Sequence, residues 1–317
     1  MSHNINENRM FCVGKAWHNV GVRVENAVTS REAIELARLD YQVKLTDIYV
    51  KTEQGEIIVD GKKATIRTAN YQVLGVVGNR YNIVQNIEAF EFFDSVVKTG
   101  EAIYHSAGAL GNGERIWILA KLPNDIIVFD RDIVNKYLLL TNSHDGASAL
   151  KMYFTPIRVV CQNTLNASLT HAKDGISIRH TASVKSKIEE ARRILGLALN
   201  FYEKFESNVK LLATRNMTSQ EIDEYFDRVL GIKENQEVST RTENVKKELK
   251  YLQKFGKGNN VEGIKNTAWT VYNAVTEYVD YYRTVKGGLK NRINSIVLGS
   301  GARLKEKALE EALILVK

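Results

Sequence analysis

Between Ile188 and Leu212 the apolar residues return in alternating steps of three and four: Ile188, Ala191, Leu195, Ala198, Tyr202, Phe205, Val209 and Leu212. Such spacing puts all of them on one stripe only if the backbone is α-helical, so it predicts a single helix over 184–213, roughly 45 Å long at the α-helical rise. Ile194, Leu197 and Phe201 widen the stripe. A tightly wound coiled coil rarely sets Tyr and Phe in its seam. The expected partners are therefore other helices of the same chain rather than a second copy of this one.

The rest of the second half continues in helical register. Helices are expected from Thr218-Ser219, over 238–255, and over 268–282, where Ala268, Val271, Val275, Tyr278 and Tyr282 share a stripe. Phe255 to Asn260 reads as a loop, Gly287-Gly288 as an interruption, and Gly299-Ser300-Gly301 as the start of a last helix with Ser300 as cap.

Before residue 170 the period is different. Thr29-Ser30-Arg31-Glu32 is a helix start, followed by Ala33, Ile34 and Ala37. Tyr41–Val50 alternates, with Val43, Leu45, Asp47 and Tyr49 on one face. Short strands are expected at 57–59, 64–68 and 73–77, turning at Asp60-Gly61 and Asn70-Tyr71. A helix is expected over 87–98. Two hairpins follow: 103–110 with 115–122 around Gly111-Asn112-Gly113, and 137–141 with 149–155 around residues 142–146. Pro156 suits a first helical turn, so Thr155 is read as a cap and 157–169 as a helix. The pattern describes an α+β chain: a mixed half with an antiparallel meander over 1–175, and a helical half over 176–317.

Composition removes several function classes. With 44% hydrophobic residues in a 317-residue chain there is ample apolar surface for a core, which excludes a wholly disordered protein. No stretch approaches the roughly 20 apolar residues of a membrane span, and the first ten residues have no apolar signal core, so no membrane association is expected. Two cysteines, Cys12 and Cys161, fit a reducing cytoplasm better than a disulfide framework. The net charge of +7 is not evenly spread. Residues 1–170 carry 18 basic and 18 acidic side chains, whereas 171–317 carry 26 and 19. Localised positive charge points to a polyanionic partner, of which nucleic acid is the commonest.

Signals for covalent chemistry are weak. No histidine pair has HExxH spacing, both cysteines are isolated, and no GxGxxG or GxSxG occurs, so no metal and no cofactor is expected. Cys161 lies in Val159-Val160-Cys161-Gln162-Asn163 and lacks a hydrolase signature around it. The alternative enzymatic reading is a hydrolase or nuclease in which His18, His144 and Asp145 converge with Gln162-Asn163. Gly299 to Lys305 could offer helix N–H groups to an anion but lacks the Gly-Lys-Ser/Thr ending of a nucleotide loop.

Cations interleaved with rings are the better lead, because single-stranded nucleic acids are held by phosphate neutralisation and base stacking. The expected contacts are Arg80, Tyr81, Arg158, Arg179, Lys290, Arg292, Arg303 and Lys305, with Tyr281-Tyr282-Arg283 adjoining them.

Several stretches carry a resemblance. Trp17-His18-Asn19-Val20-Gly21, Leu74 to Tyr81, Gln85-Asn86, Leu140 to Gly146, Thr155 to Leu165, Ile178 to Thr181, Asn273 to Tyr278 and Gly301 to Lys305 resemble the phage/plasmid-like protein family built on domain of unknown function 932. The resemblance implies a mobile-element origin. The order helix, strand meander, helix over 30–98 is also similar to the core of single-strand annealing proteins, which hold single-stranded DNA in a basic groove and often form rings. That similarity implies single-stranded DNA as the favoured partner, an annealing role in recombination, and a homo-oligomer. A protein-binding inhibitor or adaptor directed at host defence is the alternative without catalysis; a binding protein is favoured over an enzyme.

Overall fold

The computed structural model describes residues 5–13, 21–26, 28–129, 132–148, 150–158, 163–164, 176–177, 184–233, 237–285, 292–297 and 299–317. The chain is α+β and forms two compact units. One gathers Met1–Pro123, Leu138–Tyr153 and Asp174–Gly196; the other gathers Asn124–Tyr137, Phe154–Lys173 and Leu197–Lys317. The boundary expected at 175 lies outside the described residues.

The first unit begins with β1 (Ile5–Val13) and β2 (Val22–Val24), which pair in parallel. Helix α1 (Ser30–Leu36) starts where its sequence indicates. Thr29 Oγ1 accepts from the Glu32 N–H, and Glu32 Oε2 accepts from the Thr29 N–H at 2.8 Å, closing a capping box. The Thr29 N–H and the Thr29 hydroxyl both donate to the Glu32 carboxylate, and these two bonds hold its carboxyl below the ordinary pKa. Helix α2 (Asn86–Thr99) buries Phe90 and Phe93 against Tyr104, with ring centroids 6.2 and 5.8 Å apart.

Strands β6 (Ile103–Leu110) and β7 (Arg115–Lys121) form the hairpin that Gly111 and Gly113 permit, both at positive φ. With β10 (Tyr137–Ser143), β11 (Lys151–Phe154) and β14 (Ile176–Ser177) they build a seven-stranded sheet of order β14-β11-β10-β7-β6-β1-β2. The second expected hairpin is thus present as β10 and β11.

The meander differs from expectation in one respect. Strands β3 (Val43–Thr52), β4 (Gly55–Arg67) and β5 (Val73–Gly78) pair in that order, but β4 is one 13-residue strand rather than two. The chain turns between Thr52 and Gly55. Asp60-Gly61 instead sits in a bulge, where the register slips between the pairs Asp47↔Lys63 and Tyr49↔Ile58. Gly61 adopts φ +73 there. The same positive-φ residue serves a bulge as readily as a turn, and pairing with β3 decides between them.

In the second unit, β8 (Ile126–Val128), β9 (Asp132–Asn135), β12 (Ile157–Arg158) and β13 (Asn163–Thr164) form a sheet of order β13-β12-β9-β8. Residues 157–158 and 163–164 are therefore strand, not the helix expected over 157–169. Ile157 pairs with both Asn135 and Thr164, so ladder bonds from distant strands overrode the local signal of Pro156. Residues 159–162, Cys161 included, and 165–175 lie outside the described residues.

Helix α3 (Val184–Thr214) matches the long apolar seam. Ala198, Phe205, Val209 and Leu212 are fully buried, and Phe201 packs on Phe154 at 5.2 Å. Tyr202 explains why a tyrosine stands in the seam: its hydroxyl donates to the Tyr137 carbonyl at 2.6 Å and accepts from the Tyr137 N–H at 2.9 Å. The partners shown for these seam residues are strand residues, Tyr137 of β10 and Phe154 of β11, rather than the expected helices.

Helices α4 (Ser219–Leu230), α5 (Thr240–Phe255), α6 (Ala268–Glu277), α7 (Arg292–Val297) and α8 (Ser300–Ile314) complete this unit. Their core centres on Trp269, Tyr272, Tyr225 and Phe226. Trp269 Nε1 donates to Asp132 at 2.9 Å and the Tyr225 hydroxyl to the Ala308 carbonyl at 2.8 Å. A π-helical turn, Tyr278–Tyr282, prolongs α6. The cap of α8 is Gly299 without a side-chain bond, not Ser300. Gly301 earns its place by close approach: a Cβ there would lie 2.7 Å from the Ser295 carbonyl oxygen and 2.8 Å from Val279.

Candidate nucleic-acid interface

Two clusters of polar side chains stand out, one in each unit. The first surrounds the segment Asn142–Ala147. His144 is fully buried. Its Nε2 lies 2.8 Å from Asn86 Oδ1. Because Asn86 Nδ2 donates to the Leu39 carbonyl, Oδ1 must face the ring, and Nε2 carries the hydrogen. The backbone of His144 is held as well, with its N–H donating to the Glu114 carbonyl at 2.7 Å and its carbonyl accepting from Thr65 Oγ1 at 2.6 Å. Burial pushes the imidazole pKa down to about 4; Asp145 opposes that shift and Arg67 adds to it.

Asp145 does not bond to the His144 ring. Its carboxylate accepts from Ser143 Oγ, from the Ala147 N–H and from Arg115 Nε at 2.9 Å. Burial pushes its carboxyl pKa up, but these bonds outweigh that and hold it below the ordinary value. The acid–base pair of the enzymatic alternative is thus not assembled: each side chain is spent on fastening the loop. His18 lies outside the described residues, so its place in that alternative has no structural counterpart. Tyr81 belongs to the same fastening, its hydroxyl donating to the Ser143 carbonyl at 2.7 Å.

Gly75 lets β5 approach the loop, since a Cβ there would stand 2.4 Å from the Asp145 Cα. Gly75→Ala is expected to lower stability by about 2 kcal/mol, read as a shifted urea midpoint, because the obstacle is backbone rather than a side chain that can swing away.

The second cluster lies where α5, the π-turn and α8 meet. Arg283 follows the π-turn, and its N–H donates to the Tyr278 carbonyl at 2.8 Å. Its guanidinium pKa is depressed, first by burial; Tyr278 opposes that shift, and Arg241 and Arg303 add to it. Two further guanidiniums therefore stand within electrostatic reach of it. Arg292 Nη2 donates to the Arg283 carbonyl at 3.3 Å. The buried donors Arg283 Nη1 and Arg292 Nε meet no acceptor among the described residues. Gathering like charges costs energy, and a buried N–H without an acceptor costs about 1–3 kcal/mol more. A bound anion would relieve both.

A group of rings includes Tyr282, which directly precedes Arg283 in the chain. Tyr251 and Phe255, one turn apart on α5, are exposed and lie 5.3 Å apart. Tyr282 is 47% exposed. Its hydroxyl pKa is raised first by burial, then by Glu277, Glu248 and Tyr251, which places it beside the α5 pair. Glu277 and Glu248 are the acidic members of the neighbourhood.

The expected contacts divide sharply. Arg303 and Arg292 join the second cluster. Arg80 is exposed in the turn after β5, in the other unit. Arg158 contributes its backbone to β12, and nothing is described of its side chain. Arg179 and Lys290 lie outside the described residues.

Lys305 is a correction: it is fully buried, its Nζ 2.6 Å from an equally buried Asp280, so it cannot meet a polyanion. Burial lowers its pKa, and Asp280 works in the opposite sense. Arg241, Tyr251 and Phe255 were not among the expected contacts. The available signal was two rings spaced i, i+4 on a helix otherwise rich in Lys and Glu, where they have no stripe to join.

Among the described residues no group of three His, Cys, Asp or Glu side chains could hold a metal ion, and no helix is long and apolar enough to cross a membrane. No curated protein and no solved structure matches the chain. A family model does, under the description Domain of unknown function (DUF932), over residues 73–309. That stretch covers well over half of the chain, from the first residue of β5 into α8, and takes in the second cluster and the Asn142–Ala147 segment of the first. The chain belongs to the DUF932 family.

Proposed function

We infer that this protein binds nucleic acid, with single-stranded DNA as the favoured ligand, and serves a cytoplasmic recombination or annealing role for a phage or plasmid. The observation that carries the reading is the arginine cluster: Arg241, Arg283, Arg292 and Arg303 come from three helices and the π-turn's end, with two buried donors that meet no acceptor among the described residues. Tyr282, next to Arg283 in the chain, and the exposed Tyr251 and Phe255 offer flat faces to unstacked bases, which a duplex would not present. Cations supply affinity for phosphate and rings favour single strands, so no bond need be made or broken. The mobile-element setting rests on the family resemblance, and the buried Cys12 thiol is in keeping with a reducing compartment.

Fluorescence anisotropy with labelled single-stranded and duplex oligonucleotides over a salt series is the test. Tighter binding of the single strand is expected. Changing Arg241 and Arg303 together to Ala should weaken it about tenfold and make the log–log salt slope shallower by about 1.4, two phosphate contacts' worth. Tyr251→Ala should also weaken it about tenfold while leaving the slope unchanged, because stacking releases no counterions. No binding at low salt would remove the reading; an unaltered slope in the arginine variant would move the interface away from this cluster.

A further inference from the structure

We propose that two copies of this chain associate through the outer edge of β3, pairing antiparallel about a twofold axis at Tyr49. Among the described residues β3 is an edge of its sheet. The outer part of the β3–β4 hairpin is apolar on both faces and open: Tyr49 and Ile58 oppose each other on one, Val50 and Ile57 on the other, each more than half exposed. An exposed apolar edge is the part of a sheet most prone to gain another strand.

The backbone shows which groups are on offer. The N–H and carbonyl of Val43 both point away from β4, because the Gln85 side chain takes them, accepting from the N–H at 3.0 Å and donating to the carbonyl at 2.7 Å. Strand alternation then directs Leu45, Asp47, Tyr49 and Lys51 outward in the same way. Gln85 thus closes the inner end of the edge and leaves its outer end open.

The side chains choose the occupant. With Tyr49 opposite its own copy, Asp47 falls opposite the second copy's Lys51, Ile48 opposite its Val50, and Thr46 opposite its Thr52. Every pair matches: opposite charges, apolar with apolar, hydroxyl with hydroxyl. The twofold axis repeats each pair, and a register displaced by two residues sets no acid against a base over 46–52. Asp47 already meets Lys63 within its own chain, yet remains exposed enough to take a second cation.

Sedimentation velocity on the full chain, at concentrations up to about 100 µM, tests this. A dimer is expected for the natural sequence. Lys51→Asp and Asp47→Lys should each raise its dissociation constant about tenfold, since each turns both symmetry-related charge pairs repulsive. Mixed in equal amounts, the two variants should recover a dimer containing one of each, because acids then face bases at both ends. That recovery also shows that each variant is folded. A monomer at every concentration, as expected if the edge instead receives a strand from a different protein, would overturn the proposal. So would a dimer indifferent to both substitutions.

Discussion

Lys305→Met is expected to lower the free energy of unfolding by about 3–5 kcal/mol, a large share of the stability of an ordinary domain. The reason is what it leaves behind. Asp280 is fully buried in the π-turn, and its carboxylate oxygen lies 2.6 Å from Lys305 Nζ. Without the ammonium, that carboxylate must stay charged in a poorly solvated site or take up a proton. Removing both charges is a different matter, since desolvation had already offset most of the attraction between them. Asp280→Leu with Lys305→Met should therefore recover much of the loss. Urea unfolding of the two single variants and the double variant measures this directly. A cost below about 1 kcal/mol for Lys305→Met would mean the pair is solvated. Correctly folded Lys305→Met protein should bind single-stranded DNA as the natural chain does, which separates this lysine from its neighbour Arg303.

Acidification should weaken the fold through His144. Burial holds its folded pKa at about 4, whereas the unfolded chain has the ordinary value of 6.5. As pH falls through 6.5 the unfolded state takes up a proton that the folded state refuses until about pH 4, so stability falls across that window, by about 3 kcal/mol in all. His105 is shifted in the same direction, chiefly by burial, so the wild-type curve alone does not isolate one imidazole. His144→Gln does: it keeps an N–H donor for Asn86 but does not titrate. The stability gap between wild type and this variant should narrow as pH drops from 6.5 to 4. A gap independent of pH would mean that His144 takes up its proton in the folded state as readily as in the unfolded chain.

The candidate site was only partly legible. Arg303 and Lys305 are two positions apart in the same basic stretch, and charge alone treats them alike. On a helix they are about 200° apart, so one reaches solvent and the other enters the core beside Asp280. His144 and Asp145 looked like a reactive pair because they are adjacent. Their side chains point to different partners, Asn86 for one and Ser143 and Arg115 for the other.

What the chain's own order of residues determined is the local part. The apolar period of α3, the capping boxes at Thr29 and Thr218, and the glycine hairpin between β6 and β7 each depend on residues a few positions apart, whose energies are settled within one turn. Tertiary structure alone decided that Ile157 joins a ladder rather than opening a helix, and that Asp60-Gly61 bulges rather than turns. It also brought Arg241, Arg283 and Arg303 to one place. Those outcomes depend on ladder bonds, burial and charge between residues far apart in the chain, and such terms exist only once the distant partners have met.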